Sequence, residues 1–280
     1  MAKFTVVTAC LNAARYIEET VRSVLVQSAF RSGRCELEYL VFDGASTDGT
    51  IEILRPFESQ GVRVVSEPDS GFYAALVKGL QRSTGDYVAY LNAGDVFHPA
   101  GLGIAADCFE LPGVDWLTGY AAICNERSQL THCWLPYRYR RKLFECGAYG
   151  TLLPFLQQES TVWRRALHGN VDFRFLEKLR YAGDAYLWKC FASVSELHVV
   201  RGLIGSFRVH RGQISERMQE YRQELGTFSR PMSPLERLRC LVDRAMWAAP
   251  ERIKSLANRS TLILYDHLGQ AWGGGRSKGP

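Results

Sequence analysis

Along the first hundred residues, apolar positions alternate between two spacings. Short runs rich in β-branched and aromatic residues, at 4–9, 37–42, 62–66 and 87–91, predict strands, the first of them buried. Between the first two, Ile17, Val21, Val24 and Leu25 recur at three- and four-residue spacing and predict a helix. A second helix carries Ile51, Leu54 and Phe57, with Ser46 or Thr47 as its expected N-cap; Ala75, Leu76 and Leu80 mark a third. Strands separated by helices at this interval predict βαβ units and a parallel sheet.

The second half is less regular. Residues 114–121 predict a strand, 137–142 a basic, aromatic loop or edge segment, 176–190 a helix, and 197–209 two extended segments around Gly202 and Gly205. From about Glu216 the pattern turns helical, with Leu235, Leu238, Leu241, Val242 and Met246 on one face. The expected organisation is one half at 1–95, a second at 96–215, a C-terminal helical extension at 216–270 and a flexible, glycine-rich tail at 271–280.

Composition sets bounds on this picture. With 46% hydrophobic and 22% charged residues, the 280-residue chain is no collagen, coiled-coil rod or wholly disordered segment. Net charge is +5, a surplus too mild to imply nucleic acid, though it suits an anionic cofactor or membrane surface. No apolar run approaches the ~20 residues that a bilayer demands. Val7-Thr8-Ala9-Cys10 imitates a lipoprotein cleavage site, but the stretch after Lys3 is too short for a signal peptide's apolar region. The eight cysteines form no C-x-x-C and no tight cluster. They read as scattered thiols of a reducing, cytoplasmic compartment, and a structural zinc site is disfavoured.

Ligands of an open parallel sheet bind outside the carboxyl ends of its strands. The four expected strands run into Thr8-Ala9-Cys10-Leu11-Asn12, Asp43-Gly44-Ala45-Ser46, Ser66-Glu67-Pro68-Asp69 and Asn92-Ala93-Gly94-Asp95. Any one of these loops is explained by turn chemistry; all four together point to a binding edge. Gly101-Leu-Gly103-Ile-Ala-Ala106 matches a dinucleotide fingerprint on paper, but it follows Pro99 rather than a strand and reads as a helix start. There is no P-loop motif.

These stretches resemble family 2 glycosyltransferases. The resemblance is carried by Thr8-x-x-x-Asn12, residues 41–50, Ser66-Glu-Pro-Asp-x-Gly-x-Tyr73 with Lys78-Gly79, and Tyr90-Leu-Asn-Ala-Gly-Asp95. It continues through Gln158-Glu-Ser-Thr-x-Trp163, Leu179-Arg-Tyr-Ala-x-Asp184-x-x-Leu-Trp188 and Phe207-Arg-x-His210-x-x-Gln-x-Ser215, about 210 residues in order. It implies an α/β GT-A (Rossmann-like) fold with a mostly parallel central sheet flanked by helices. It also implies inverting transfer of a sugar from a nucleotide donor, a uridine diphosphate sugar above all, to a hydroxyl of a glycan or lipid-linked glycan.

By the same resemblance Thr8, Asn12, Asp43, Glu67, Asp69, Lys78 and Asn92 hold the donor, Asp43 contacting its base. Lys78 has the plainer reading of a solvated helix charge. Asp95 closes a degraded D-x-D motif and, with His210, is the expected ligand set for Mn²⁺ or Mg²⁺, which neutralises a diphosphate leaving group. His210 is equally readable as structural. Asp184 matches the catalytic base that deprotonates the acceptor, and apolar neighbours would raise its pKa. Glu159, Trp163 and Trp188 fall where relatives line the acceptor cleft, with core packing as the other reading of Trp163.

Two rival classes differ from this reading at identifiable residues. A sugar nucleotidyltransferase would carry a glycine-rich loop after the first strand, and residues 8–15 contain no glycine. A non-catalytic nucleotide-sugar-binding module would explain the degraded Asn92-x-Gly94-Asp95 motif but not retention of Asp184. The basic, apolar stretch 230–259 has two readings: an amphipathic face on an anionic membrane, at the inner face of the plasma membrane, or packing against the catalytic half or a second copy in a homo-oligomer.

Overall fold

The computed structural model describes residues 1–210, 213 and 217–274. The four expected N-terminal strands form as β1 (Ala2–Cys10), β2 (Cys35–Asp43), β3 (Val62–Ser66) and β4 (Tyr87–Tyr90), joined through α1 (Ile17–Leu25), α2 (Ser28–Arg31), α3 (Thr50–Glu58) and α4 (Phe72–Arg82). β1 lies between β2 and β4, β2 between β1 and β3, and every pairing is parallel. β4 and most of β1 and β2 are buried on both faces, while edge strand β3 is partly exposed, and side chains still alternate between the faces. Val7, Ala9, Leu40, Phe42 and Tyr90 enter one apolar core, and Phe4, Val6, Tyr39, Val41 and Ala89 the other.

The rest of the chain completes two sheets. Its strands are β5 (Val96–Phe97), β6 (Trp116–Thr118), β7 (Ala121–Cys124), β8 (Leu130–Trp134), β9 (Thr161–Arg164), β10 (Leu197–Val200), β11 (Gly205–Arg208), β12 (Leu262–Asp266) and β13 (Ala271–Gly274). The helices are α5 (Gly101–Phe109), α6 (Arg141–Glu145), α7 (Phe173–Leu176), α8 (Gly183–Val194), α9 (Met218–Phe228), α10 (Pro234–Trp247) and α11 (Glu251–Ala257). The central sheet runs β13-β12-β10-β6-β9-β4-β1-β2-β3, and the smaller one runs β5-β11-β7-β8. The central sheet is mostly parallel with helices around it, as expected of a GT-A fold, and among the described residues no helix is long and apolar enough to cross a membrane.

Five sequence expectations are corrected. The strand expected at 114–121 breaks at Gly119, where the chain passes from one sheet to the other; a Cβ there would sit 2.5 Å from the Gly202 carbonyl oxygen. The helix expected at 176–190 starts only at Gly183, as α8, since Leu176 ends α7 and the N–H groups of residues 180–182 turn to the Glu224 carboxylate instead of a helical ladder. α3 is preceded by left-handed Gly49 (φ 95°) rather than capped by Ser46 or Thr47, which are engaged elsewhere. The C-terminal extension is not purely helical, since β12 joins the central sheet beside β10 and pairs with β13. Residues 271–274, expected in the tail, are that strand β13, while 275–280 lie outside the described residues.

Candidate functional site

The carboxyl ends of β1 and β2 are tied by one hydrogen-bonded loop. Asp43, buried at the end of β2, accepts from the Ser46 amide at 2.9 Å and the Ser66 hydroxyl at 2.7 Å. Asn12 donates its amide to Ser46 Oγ at 2.7 Å, and its own Oδ1 accepts from the Thr47 amide at 3.0 Å. Asn12 and Ala45 both hold left-handed backbone (φ 50° and 64°), a conformation that costs a non-glycine residue about 1–2 kcal/mol and is sustained here by these bonds. Asp69 leans over Gly44, where a Cβ would lie 2.8 Å from its Oδ2. Asn12, Asp43 and Asp69 therefore share one edge of the sheet.

Three donor-site expectations fare differently. Thr8 is fully buried, its hydroxyl 3.0 Å from that of Tyr39, so it faces the core and not a ligand. Lys78 and Glu67 pair with each other at 2.6 Å. That contact occupies the lysine and lowers the glutamate's pKa.

A second cluster surrounds the loop after β4. Asp95 is buried; its Oδ2 accepts from Gln158 Nε2 and its Oδ1 from the Arg208 amide, each at 2.9 Å. Loss of water pushes its pKa up to about 7 against the opposing pull of Arg208. Glu159 is buried beside it, raised by its own burial and then by the charge of Asp95, with Oε1 lacking a partner. Arg208 itself is wholly buried. Its guanidinium donates to the Gly94 carbonyl at 2.5 Å and to Glu19 Oε2 at 2.6 Å, and lies over the Tyr16 ring. His210 is brought to the same place: its ring lies 5.2 Å from that of Tyr16, with Nε2 4.0 Å from where a Cβ on Gly94 would be.

Whether these groups suit a divalent cation can be judged from the donors. Among the described residues no three His, Cys, Asp or Glu side chains come together as a metal cage. Asn92 Oδ1 is nevertheless buried without a partner in the protein, three residues before Asp95 in the same loop. An amide oxygen, a carboxylate and an imidazole make a partial set of the kind that phosphate-bound Mg²⁺ or Mn²⁺ uses, the ligand and water supplying the rest.

The third cluster is built around Asp184 in the first turn of α8. Asp184 as a residue is half-buried, and Phe144, Phe155, Trp188, Tyr221 and Leu225 line its pocket. This loss of water raises its pKa to about 6, with a smaller push from the charge of Glu224. Its amide donates to the Tyr73 hydroxyl at 3.2 Å. The preceding residue is glycine because a Cβ at Gly183 would lie 2.5 Å from the Tyr73 ring. Glu224, on α9, grips the backbone just before it, accepting from Arg180 and Tyr181 at 2.7 Å and Ala182 at 2.6 Å. Tyr90 connects the clusters: the charges of Asp184, Glu159 and Asp95 all raise its buried hydroxyl further, after burial itself.

Of the expected acceptor residues, only Trp188 lines the Asp184 pocket, with its indole nitrogen buried and unpartnered. Trp163 is core, packed among Tyr90, Trp188 and Phe191, its N–H donated to His168 at 3.0 Å. Glu159 is likewise buried, only 1% exposed. Sequence reasoning gave no role to Gln158, Arg208, Tyr73 and Glu224. The first three lie inside the motifs quoted above, beside residues that were assigned. Glu224 had no signal, being one glutamate on a polar helix.

Residues 5–149 match the family model for Glycosyl transferase family 2. Over 94 residues the chain is 42% identical to a putative teichuronic acid biosynthesis glycosyltransferase, TuaG, of Bacillus subtilis (strain 168), covering 32% of this chain and 35% of that protein. Over 115 residues it is 27% identical to an uncharacterized glycosyltransferase of Nostoc sp., covering 40% and 34%. The chain thus spans about a third of the length of these curated relatives. Among solved structures, S. aureus TarS 1–349 in complex with UDP-GlcNAc superposes with a TM-score of 0.60 at 16% identity, over 92% of this chain and 71% of that one. The mannosyltransferase PcManGT from Pyrobaculum calidifontis, in complex with GDP-Man and Mn²⁺, gives 0.57 at 18%, over 93% and 72%. Those structures share the fold, and because the family model covers more than half of the sequence, the chain belongs to glycosyl transferase family 2.

Proposed function

We propose that this chain transfers a sugar, with inversion, from a nucleoside diphosphate donor to a hydroxyl of a glycan or lipid-linked glycan. The observation that carries the proposal is Asp184: a carboxylate in an apolar pocket, its amide held by Tyr73 and the backbone just before it by Glu224, sharing Tyr90 as neighbour with Asp95. Inverting transfer is a single displacement. The acceptor oxygen attacks the anomeric carbon as the bond to the diphosphate breaks, and the acceptor's proton passes to a base. Asp184, raised to about 6, is ionised at neutral pH and still basic enough for that role. Asn12, Asp43 and Asp69 bind and orient the nucleoside end, with a UDP-sugar as the expected donor. Asp95, His210 and Asn92 Oδ1 would hold Mn²⁺ or Mg²⁺, which when bound offsets charge on the departing diphosphate. Arg208 fixes the loop that presents Asp95 through its bonds to the Gly94 carbonyl and the Asp95 carboxylate.

One observation favours a non-catalytic nucleotide-sugar-binding module instead: both Asp95 oxygens already accept hydrogen bonds from the protein. Incubation with a panel of UDP- and GDP-sugars, with and without Mn²⁺, separates the readings. Release of free nucleoside diphosphate supports the transferase, release of pyrophosphate a nucleotidyltransferase, and binding without turnover the module.

A further inference from the structure

α10 carries apolar side chains on the side away from the protein. Cys240, Asp243 and Trp247 form its buried face. Leu235, Leu238, Leu241 and Val242 are 74, 57, 66 and 52% exposed. At 3.6 residues per turn these four fall within about 120° of arc opposite the buried face, with Arg239 along one border and Arg237 and Arg244 along the other. A capping box of Ser233 and Glu236 fixes the start of the helix. α11 adds exposed Ile253 and Leu256.

The charges around this stripe are one-sided. Glu236, Asp243 and Glu251 are engaged within the fold, by Arg230 at 2.6 Å, Arg140 at 2.7 Å and Arg201 at 3.4 Å. Arg237, Arg239, Arg244, Arg252 and Arg259 are exposed, and none enters an ion pair among the described residues. Lys254 does not join them, since it is buried with Nζ on the Leu135 carbonyl at 2.9 Å.

We propose that the outer face of α10 docks in the plane of an anionic lipid bilayer. At fourteen residues, about 21 Å, the helix is too short to span a membrane of about 30 Å but suits the interface, its leucines entering the acyl boundary and its arginines meeting lipid phosphates. A second copy is a poorer occupant. A two-fold contact through this stripe would bring the same arginine borders against one another, whereas an anionic surface complements them. The stripe also leads toward the proposed active site. Leu241, Arg237 and Arg244 share a surface cleft with Leu152, and Phe155, three residues on, lines the Asp184 pocket. On the catalytic reading, docking would bring that pocket to a lipid-linked acceptor; docking itself needs no turnover.

The test is co-sedimentation of the full chain with phosphatidylcholine vesicles, with and without about 30 mol% phosphatidylglycerol. Binding should require the anionic lipid and weaken about tenfold or more with added salt. Leu238→Glu with Leu241→Glu, and separately Arg237→Glu with Arg239→Glu and Arg244→Glu, should each weaken it by at least about tenfold. All five sites are exposed, and an unchanged Tm and circular dichroism spectrum would show that the variants fold. Equal binding to neutral vesicles, no binding by the intact chain, or variants that bind like wild type would overturn the proposal. So would a concentration-dependent dimer, abolished by the leucine changes, in a protein that ignores vesicles. Donor hydrolysis measured on the same variants keeps the questions apart: it should persist where docking is lost, and its absence in the wild-type chain would bear on the catalytic reading alone.

Discussion

Glu224→Gln tests how Asp184, the proposed base, is positioned. Glu224 Oε1 accepts one backbone N–H and Oε2 accepts two, all from the three residues that lead into α8. A glutamine has one acceptor oxygen, so the better of its two orientations keeps Tyr181 and Ala182 and turns an amide N–H toward that of Arg180. Hydrogen bonds to a charged group contribute about 1.5–3 kcal/mol each, and a half-buried site takes the lower end. Losing one and weakening two should destabilise this turn by about 2–3 kcal/mol. Asp184 lies two residues downstream, and misplacement of a catalytic group by about 1 Å costs roughly 10²-fold. We expect kcat to fall about 10- to 100-fold while the donor KM holds, because Asn12, Asp43 and Asp69 are untouched. A second readout separates this role from general instability. The charge of Glu224 helps to raise Asp184, so its removal lowers the Asp184 pKa and moves the acid limb of the pH–kcat profile to lower pH. Steady-state nucleotide release across pH measures both. An unchanged kcat with an unmoved limb, or a limb displaced upward, would refute the reasoning.

Asp184→Asn should keep donor binding by calorimetry and lose about 10²–10⁴-fold in transfer; in the wild type, activity should fall as pH drops through about 6, because the base must be ionised to work. Gly183→Ala forces a methyl into the buried Tyr73 ring and should cost about 1–3 kcal/mol, read as a lower Tm. Asp243→Ala strands Arg140, which makes a two-pronged contact with that buried carboxylate at 2.7 and 3.0 Å, and should cost about 3 kcal/mol in urea unfolding. Chelation should stop transfer, and Asp95→Ala should weaken donor binding more in Mn²⁺ than without it; full activity in excess chelator would remove the metal from the mechanism.

Local pattern carried far into this fold. β1 to β4 and the helices α1, α3 and α4 were legible because each strand is a short run rich in β-branched and aromatic residues and each of these helices repeats its apolar face at helical spacing, signals that depend only on near neighbours. The polar strand ends were legible too, since an open parallel sheet binds ligands at one edge whatever its loops contain. The order of short motifs pointed to the family, and residues 5–149 match its model. What local pattern missed depends on partners far along the chain. Thr8 reads as a site residue until Tyr39, thirty-one residues on, takes its hydroxyl. Trp163 reads as a cleft aromatic until four other rings close around it. The leucines of α10 fit either a membrane face or packing against the catalytic half or a second copy, and it is the fold that turns them outward: the helix buries Cys240, Asp243 and Trp247, with Arg140 from a distant loop pairing Asp243. The break before α8 follows from Glu224, more than forty residues later in the chain. A hydrogen bond or a buried charge is settled by which groups meet in space, and only the tertiary structure decides which groups those are.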